Sequence, residues 1–130
     1  MTSENSSRLR YRRWWWLLGV AQVLIVVYLS LSNISLPQLS SDFGDKINHL
    51  LAYGVLMGWF GQLLAGWRKR VLCALALIAL GISMEFLQGM TPYRFFDWQD
   101  AIANCLGVGF GLTALRMGAD KILHWFESLF

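Results

Sequence analysis

The chain has 130 residues, of which 56% are hydrophobic and only 15% charged. That is room for one domain at most, and soluble domains of this size carry roughly 25% charged residues. The net charge of +3 comes from short basic clusters set between apolar stretches, so the positive balance belongs to a membrane topology and excludes a nucleic-acid binding face.

Residues 1–7 are polar and are expected to be disordered. The cluster containing Arg8, Arg10, Arg12 and Arg13 precedes a first apolar window at 14–32. A secretory leader would also begin with basic residues, but its apolar region runs about 7–15 residues and ends in a small-x-small site. Neither feature is present, so the window is expected to be an uncleaved helix. Trp14, Trp15 and Trp16 are expected at the membrane interface, as aromatic belts are. Residues 33–44, with Pro37 and several turn formers, read as a loop. A second window covers 47–66. The basic connection Arg68-Lys69-Arg70 is short enough to make an antiparallel helical hairpin with a third window at 71–90. A turn at 91–99 leads to the fourth window at 101–117. Crossing ~30 Å of hydrocarbon takes about 20 residues as helix. The fold class is therefore all-α, a polytopic bundle of four transmembrane helices over residues 14–118, preceded by a basic segment 1–13. The tail 119–130 is too short to span. Its apolar residues recur at helical spacing, so it is expected to lie along the interface as an amphipathic helix, with His124 at the polar edge.

Nine of the eleven basic residues, including Arg116 and Lys121, fall on one side of this arrangement. The positive-inside rule makes that side cytoplasmic, with both termini there. Only Lys46 and Arg94 fall opposite. Cys73 begins the third helix on the cytoplasmic side and Cys105 lies a turn inside the fourth from the outer side, too far apart for a disulfide. Gly54, Gly58 and Gly61 in the second window, and Gly107, Gly109 and Gly111 in the fourth, let helix backbones approach where lipid supplies no hydrophobic drive for association. The second to fourth helices should form a compact group, with the first packed outside it.

Polar residues collect at the outer end of these three helices. Asp45, His49 and Tyr53 recur at i,i+4 and share one face with Lys46 nearby; Glu85 and Gln88 share a face at i,i+3 in the last turns of the third helix. Asp97, Asp100 and Asn104 open the fourth, and Arg94 stands just before it. At 1.5 Å per residue most of this set lies within ~10 Å of the outer helix ends. An acidic residue inside an apolar window costs ~3 kcal/mol at the helix centre and faces the bundle interior with a partner. His49, Glu85 and Asp100 are the candidates for acid–base chemistry. Lys46 and Arg94 are candidates to hold an anionic head group. Each residue also has a structural reading: an ion pair for Glu85, an interfacial hydrogen bond for His49, a helix cap for Asp100, an interhelical bond for Asn104. No two-His spacing on one helix supports a metal, and none is expected.

The order Asp45-Lys46-x-x-His49-x-x-x-Tyr53, Glu85-x-x-Gln88, then Arg94 with Asp100-x-x-x-Asn104-x-x-Gly107 resembles the VanZ-like family. The resemblance covers about residues 44–111. It implies a bacterial inner-membrane protein tied to the cell envelope or to resistance against the glycopeptide teicoplanin, to which the protein that gives the family its name is linked, and it supplies no reaction. Family members commonly carry a Pro-Gly-Arg turn, where this chain reads Pro92-Tyr93-Arg94-Phe95-Phe96-Asp97. The bulky Tyr93, Phe95 and Phe96 are expected to reshape what the outer site admits. Three functions fit these residues: binding of a lipid, lipid-linked precursor or glycopeptide; an enzyme acting on an outer-leaflet lipid; and a purely structural network. No polar path crosses the bilayer, which disfavours a channel. Membrane lipids are the expected partners, and the sequence leaves cofactor and oligomeric state open.

Overall fold

The computed structural model describes residues 9–34 and 42–130, with the side chain of Asp42 excepted; Arg8, the segment 1–7 and most of the first outer loop, including Pro37, lie outside them. Among the described residues the chain is helical without strands. The helices are α1 (Arg12–Leu31), α2 (Asp42–Leu63), α3 (Trp67–Gly89) and α4 (Trp98–Arg116); a 3-10 turn (Ala119–Lys121) then leads into the short α5 (Ile122–Glu127). Each long helix overlaps one apolar window. α2 begins five residues earlier than its window, so residues 42–44, read as the end of the loop, already belong to its first turn, ahead of Asp45 and Lys46.

Apolar side chains cover much of the outside. Leu24, Ile25, Leu51, Val55, Leu72, Leu75, Phe86, Leu106 and Phe110 are all exposed, which in water would be a continuous liability and in lipid is the ordinary exterior. α1 and α3 are each long and apolar enough to cross a membrane; α4 qualifies only together with the tail, from which it is bent by 74°. The polar residues Asp45, Lys46, Asn48 and His49 shorten the apolar part of α2. The protein is a helical membrane bundle.

α2 and α4 are the closest pair, and small residues set their spacing. Gly107 presses its Cα side against the backbone carbonyl of Leu50, and a Cβ on Gly54 would lie 3.2 Å from the Gly107 carbonyl oxygen. One turn on, a Cβ on Gly111 would lie 2.7 Å from Met57 Cβ and 2.8 Å from the Gly54 carbonyl. Gly58 and Gly109 face open space. The expected close approach is thus real, but it uses only some of the glycines.

α1 lies outside the other three and buries only Gly19, on which the rings of Phe60 and Trp59 rest. Of the three tryptophans, Trp14 is exposed as a belt residue should be. Trp15 and Trp16 instead turn inward, against Trp59 at 5.8 Å and Phe60 at 5.5 Å between ring centroids. The Trp59 indole donates to the Trp15 carbonyl at 3.0 Å, so these two rings also join α1 to α2.

The basic end of the bundle is tied by side chains on helix termini. Arg12 and Arg70 donate to the Leu63 and Gly61 carbonyls, which have no intrahelical partner at the end of α2. Gly66 and Gly118 take φ of 88° and 112°, turning the chain into α3 and out of α4. The tail does not lie free on the interface. Leu123 is buried, its amide donates to Gln62 Oε1, and Glu127 accepts from the amides of Arg10 (2.7 Å) and Tyr11 (3.0 Å) and from the Trp15 indole (2.6 Å). Ile122, Trp125, Phe126, Leu129 and Phe130 remain exposed, as expected of the apolar side.

Partial burial pulls the Glu127 carboxyl upward, but these donors outweigh it and hold it below the usual carboxylate range. A depressed folded value means the attachment stabilises above the ordinary carboxylate pKa and is lost as pH falls through the lower folded value. Glu127→Gln should therefore lower hydrogen-exchange protection of the Arg10 and Tyr11 amides at neutral pH. That gap should close as pH drops below ~4.3. Equal protection in both proteins at neutral pH would show that the carboxylate does not fasten α1.

Candidate functional site at the acidic end of the bundle

Three helices bring seven of the polar residues together. α2 supplies Asp45, Lys46 and His49 from its first turns; α3 supplies Glu85 near its end; α4 supplies Asp97, Asp100 and Asn104. Asp97 caps α4, its side chain accepting from the Gln99 amide at 2.8 Å. That bond and the Lys46 ammonium hold its carboxyl below the usual range. Lys46 Nζ bridges Asp97 Oδ2 at 3.3 Å and Asp100 Oδ1 at 3.6 Å.

His49 is the centre. Its Nδ1 lies 3.0 Å from Asn104 Oδ1 and 3.8 Å from Glu85 Oε1; its Nε2 lies 3.6 Å from Asp100 Oδ2 and 3.9 Å from Asp45 Oδ2. Glu85 is wholly buried, and its other oxygen accepts from the Asp97 amide at 3.4 Å. Asp45 and Asp97, whose side chains are 40% and 38% exposed, form the rim; Glu85, Asp100 and Asn104 form the floor. Tyr53 lies deeper on the same face of α2 and is buried. A chain of contiguous acid–base groups therefore runs from water into the bundle.

The ion pairs do not saturate this cluster. Glu85 Oε1, Asp100 Oδ1, Asn104 Nδ2 and Tyr53 OH are buried without a hydrogen-bond partner among the described residues. Each such atom costs about 1–3 kcal/mol. Asp45, His49 and Asp100 each offer one ligand atom within 4.8 Å of the others, close enough that a metal ion could be drawn between them. Sequence spacing could not reveal this set, because it draws on two helices.

Two expected site residues are elsewhere. Arg94 donates from Nε to the Ser32 carbonyl at 3.2 Å and from Nη2 to the Leu29 carbonyl at 3.5 Å. Gln88 donates to the Ser30 carbonyl at 2.8 Å. Both are drawn to the unpaired carbonyls that end α1. Tyr93 joins them, its hydroxyl donating to the Leu31 carbonyl at 2.7 Å. The bulky turn is thus tied to α1 through Tyr93. Phe96 packs on Phe86 at 5.2 Å between centroids, and Phe95 is exposed.

Sequence reasoning missed Gly81. A Cβ there would lie 3.0 Å from Asn104 and 3.2 Å from Tyr53, so the missing side chain admits both to the floor of the site. A glycine three to four residues before a buried acid on the same helix was the available signal.

A family model described as VanZ/LLP1 matches residues 3–119. The chain belongs to the VanZ/LLP1 family. No curated protein and no solved structure matches it. The VanZ/LLP1 match spans all four long helices, so the cluster and the carbonyl clamp on α1 both lie within the family's extent.

Proposed function

We propose that this VanZ-like membrane protein crosses the bacterial inner membrane four times through residues 14–118, with the basic segment 1–13 and the tail 119–130 in the cytoplasm. Its acidic end then faces outward and binds the phosphate head group of an anionic envelope lipid, free or carrying a cell-wall precursor. The segregation of charge supports the orientation. Arg10, Arg12, Arg13, Arg68, Lys69, Arg70, Arg116 and Lys121 belong to one end of the bundle and the cluster to the other.

One observation carries the binding reading. A network that only stapled helices would satisfy its own buried groups, whereas this one leaves four buried polar atoms unbonded beneath a half-exposed rim. With Arg94 committed to α1, Lys46 is the cation that the cluster holds against Asp45, Asp97, Asp100 and Glu85. That balance opposes a bare phosphate, so the head group requires a counter-charge within the cluster. The family link makes teicoplanin tolerance the physiological context of this reading.

A second reading is favoured by the position of His49, which has carboxylates near both ring nitrogens. That arrangement suits transfer of a proton to or from an outer-leaflet lipid-linked substrate, as in a hydrolase or transferase.

Native mass spectrometry of the detergent-purified chain tests the binding reading with added phosphatidylglycerol, a polyprenyl diphosphate and phosphatidylcholine. A one-to-one adduct with either anionic lipid is expected, weakened about tenfold by Lys46→Gln, the ~1.4 kcal/mol of one charge-assisted contact. Arg94→Ala should leave it intact. Adducts that form equally with phosphatidylcholine, or that ignore Lys46→Gln, would overturn the reading; the two anionic arms separate a free lipid from a precursor carrier.

A further inference from the structure

The contacts of His49 Nε2 are too long for hydrogen bonds. Asp100 Oδ2 at 3.6 Å and Asp45 Oδ2 at 3.9 Å stand well beyond the ~2.7–2.9 Å of a charge-assisted N–H···O bond. They approach a different distance. Two ligands bound at ~2.1 Å to one tetrahedral ion are roughly 3.4 Å apart.

The opposite ring nitrogen fixes what Nε2 presents. Asn104 Oδ1, a carbonyl oxygen, can only accept, so the 3.0 Å contact places a proton on His49 Nδ1. Nε2 is then the ring nitrogen that faces the two carboxylates. A histidine that ligates a metal divides its nitrogens in this way, one to the ion and one donating to an outer carbonyl or carboxylate.

An independent observation comes from α3. Glu85, with no exposed surface, aims Oε1 at the same imidazole from 3.8 Å and receives no hydrogen bond there. Asp100 Oδ1 is likewise unbonded, with Lys46 at 3.6 Å. Buried carboxylates without full compensation are strongly destabilising. One doubly charged ion among them supplies what Lys46 alone does not.

We propose that Asp45, His49 and Asp100 form a binding site for a divalent first-row cation of the Zn2+ or Mn2+ type, with Asn104 orienting the imidazole and Glu85 as an outer carboxylate. One imidazole and two carboxylates suit such ions and leave positions for water or another oxygen. Ca2+ requires six to eight oxygens, more than this set provides. The rim carboxylate of Asp45 gives the ion its entrance. The inference deepens the head-group reading and rests on it in one respect: the ion would supply the counter-charge that a phosphate oxygen needs at this acidic cluster.

The test uses the full chain in detergent, stripped by chelation and titrated with Zn2+ or Mn2+ alone. Elemental analysis should return about one ion per chain, and the thermal midpoint should rise with added metal. Asp45→Asn, at the half-exposed rim and without a hydrogen bond to lose, should keep the fold and weaken metal binding at least tenfold. Asn104→Ala should weaken it by about 10–100-fold through loss of orientation. His49→Ala should remove it. Absence of saturable binding, or binding that survives Asp45→Asn unchanged, overturns the site. An imidazolium His49 that persists in nitrogen NMR under excess Zn2+ overturns it too, since a proton then occupies the position given to the ion. If metal fails to bind while the Lys46-dependent lipid adduct persists, the ion alone is refuted. If metal binds and no lipid adduct forms, the head-group reading falls and the ion stands.

Discussion

Gly107→Ala should leave little folded protein in the membrane. Any Cβ at this position enters the backbone carbonyl of Leu50 and lies 3.0 Å from the Gly54 amide nitrogen. Neither neighbour is a flexible side chain that can swing away, so α2 and α4 must separate. Overpacking usually costs ~1–3 kcal/mol, and a backbone obstacle belongs at or beyond the top of that range. Separation at Gly107 also pulls on the site, because Leu50 follows His49 and Asn104 lies one turn before Gly107 on α4. The thermal midpoint of the purified bundle and the yield from membranes report the effect. Gly58→Ala and Gly109→Ala are the controls. Both positions face open space, so each should be neutral or stabilising by up to ~1 kcal/mol through helix propensity. Equal damage at Gly109 and Gly107 would mean that glycine matters for something other than the α2–α4 contact.

Glu85→Gln should separate function from stability. The side chain keeps its shape and can still accept from the Asp97 amide, and removing a buried charge is neutral or stabilising in many proteins. Folded yield should stay close to wild type. Metal retention, and with it growth of expressing cells under teicoplanin, should fall about tenfold or more, equivalent to ~1.4 kcal/mol at the site. His49→Ala should lose both activities as completely, but with a stability cost of about 1–3 kcal/mol because Asn104 is left buried without its partner. A Glu85→Gln protein that loses yield in proportion to function would instead establish the cluster as a staple between helices.

Much of this arrangement was legible because helical periodicity is a local property. The i,i+4 run of Asp45, His49 and Tyr53 and the i,i+3 pair Glu85 and Gln88 fix faces without any knowledge of neighbours. Convergence of Asp100 and Asn104 on His49 followed from the antiparallel order of apolar helices. The fate of Arg94 and Gln88 was not legible in that way. Their partners are main-chain carbonyls of α1, and every helix end offers such carbonyls whatever its sequence. The helix contacts of Trp15 and Trp16 were hidden for a related reason. An indole suits an interface and a helix contact equally, and only the notch at Gly19 that receives Phe60 and Trp59 brings α2 close enough for the second. The metal-ligand geometry was hidden because its donors come from two helices, so no spacing along one helix encodes it.

The fastening of α1 has a consequence for how the protein is made. Its C-terminal carbonyls are held by Gln88, Tyr93 and Arg94, and its N-terminal end by Glu127, at separations of 58 to 117 residues along the chain. A ribosome delivers α1 long before any of these partners exists. α1 must therefore wait unclasped, and it is locked only when the tail has been synthesised and has folded back against it.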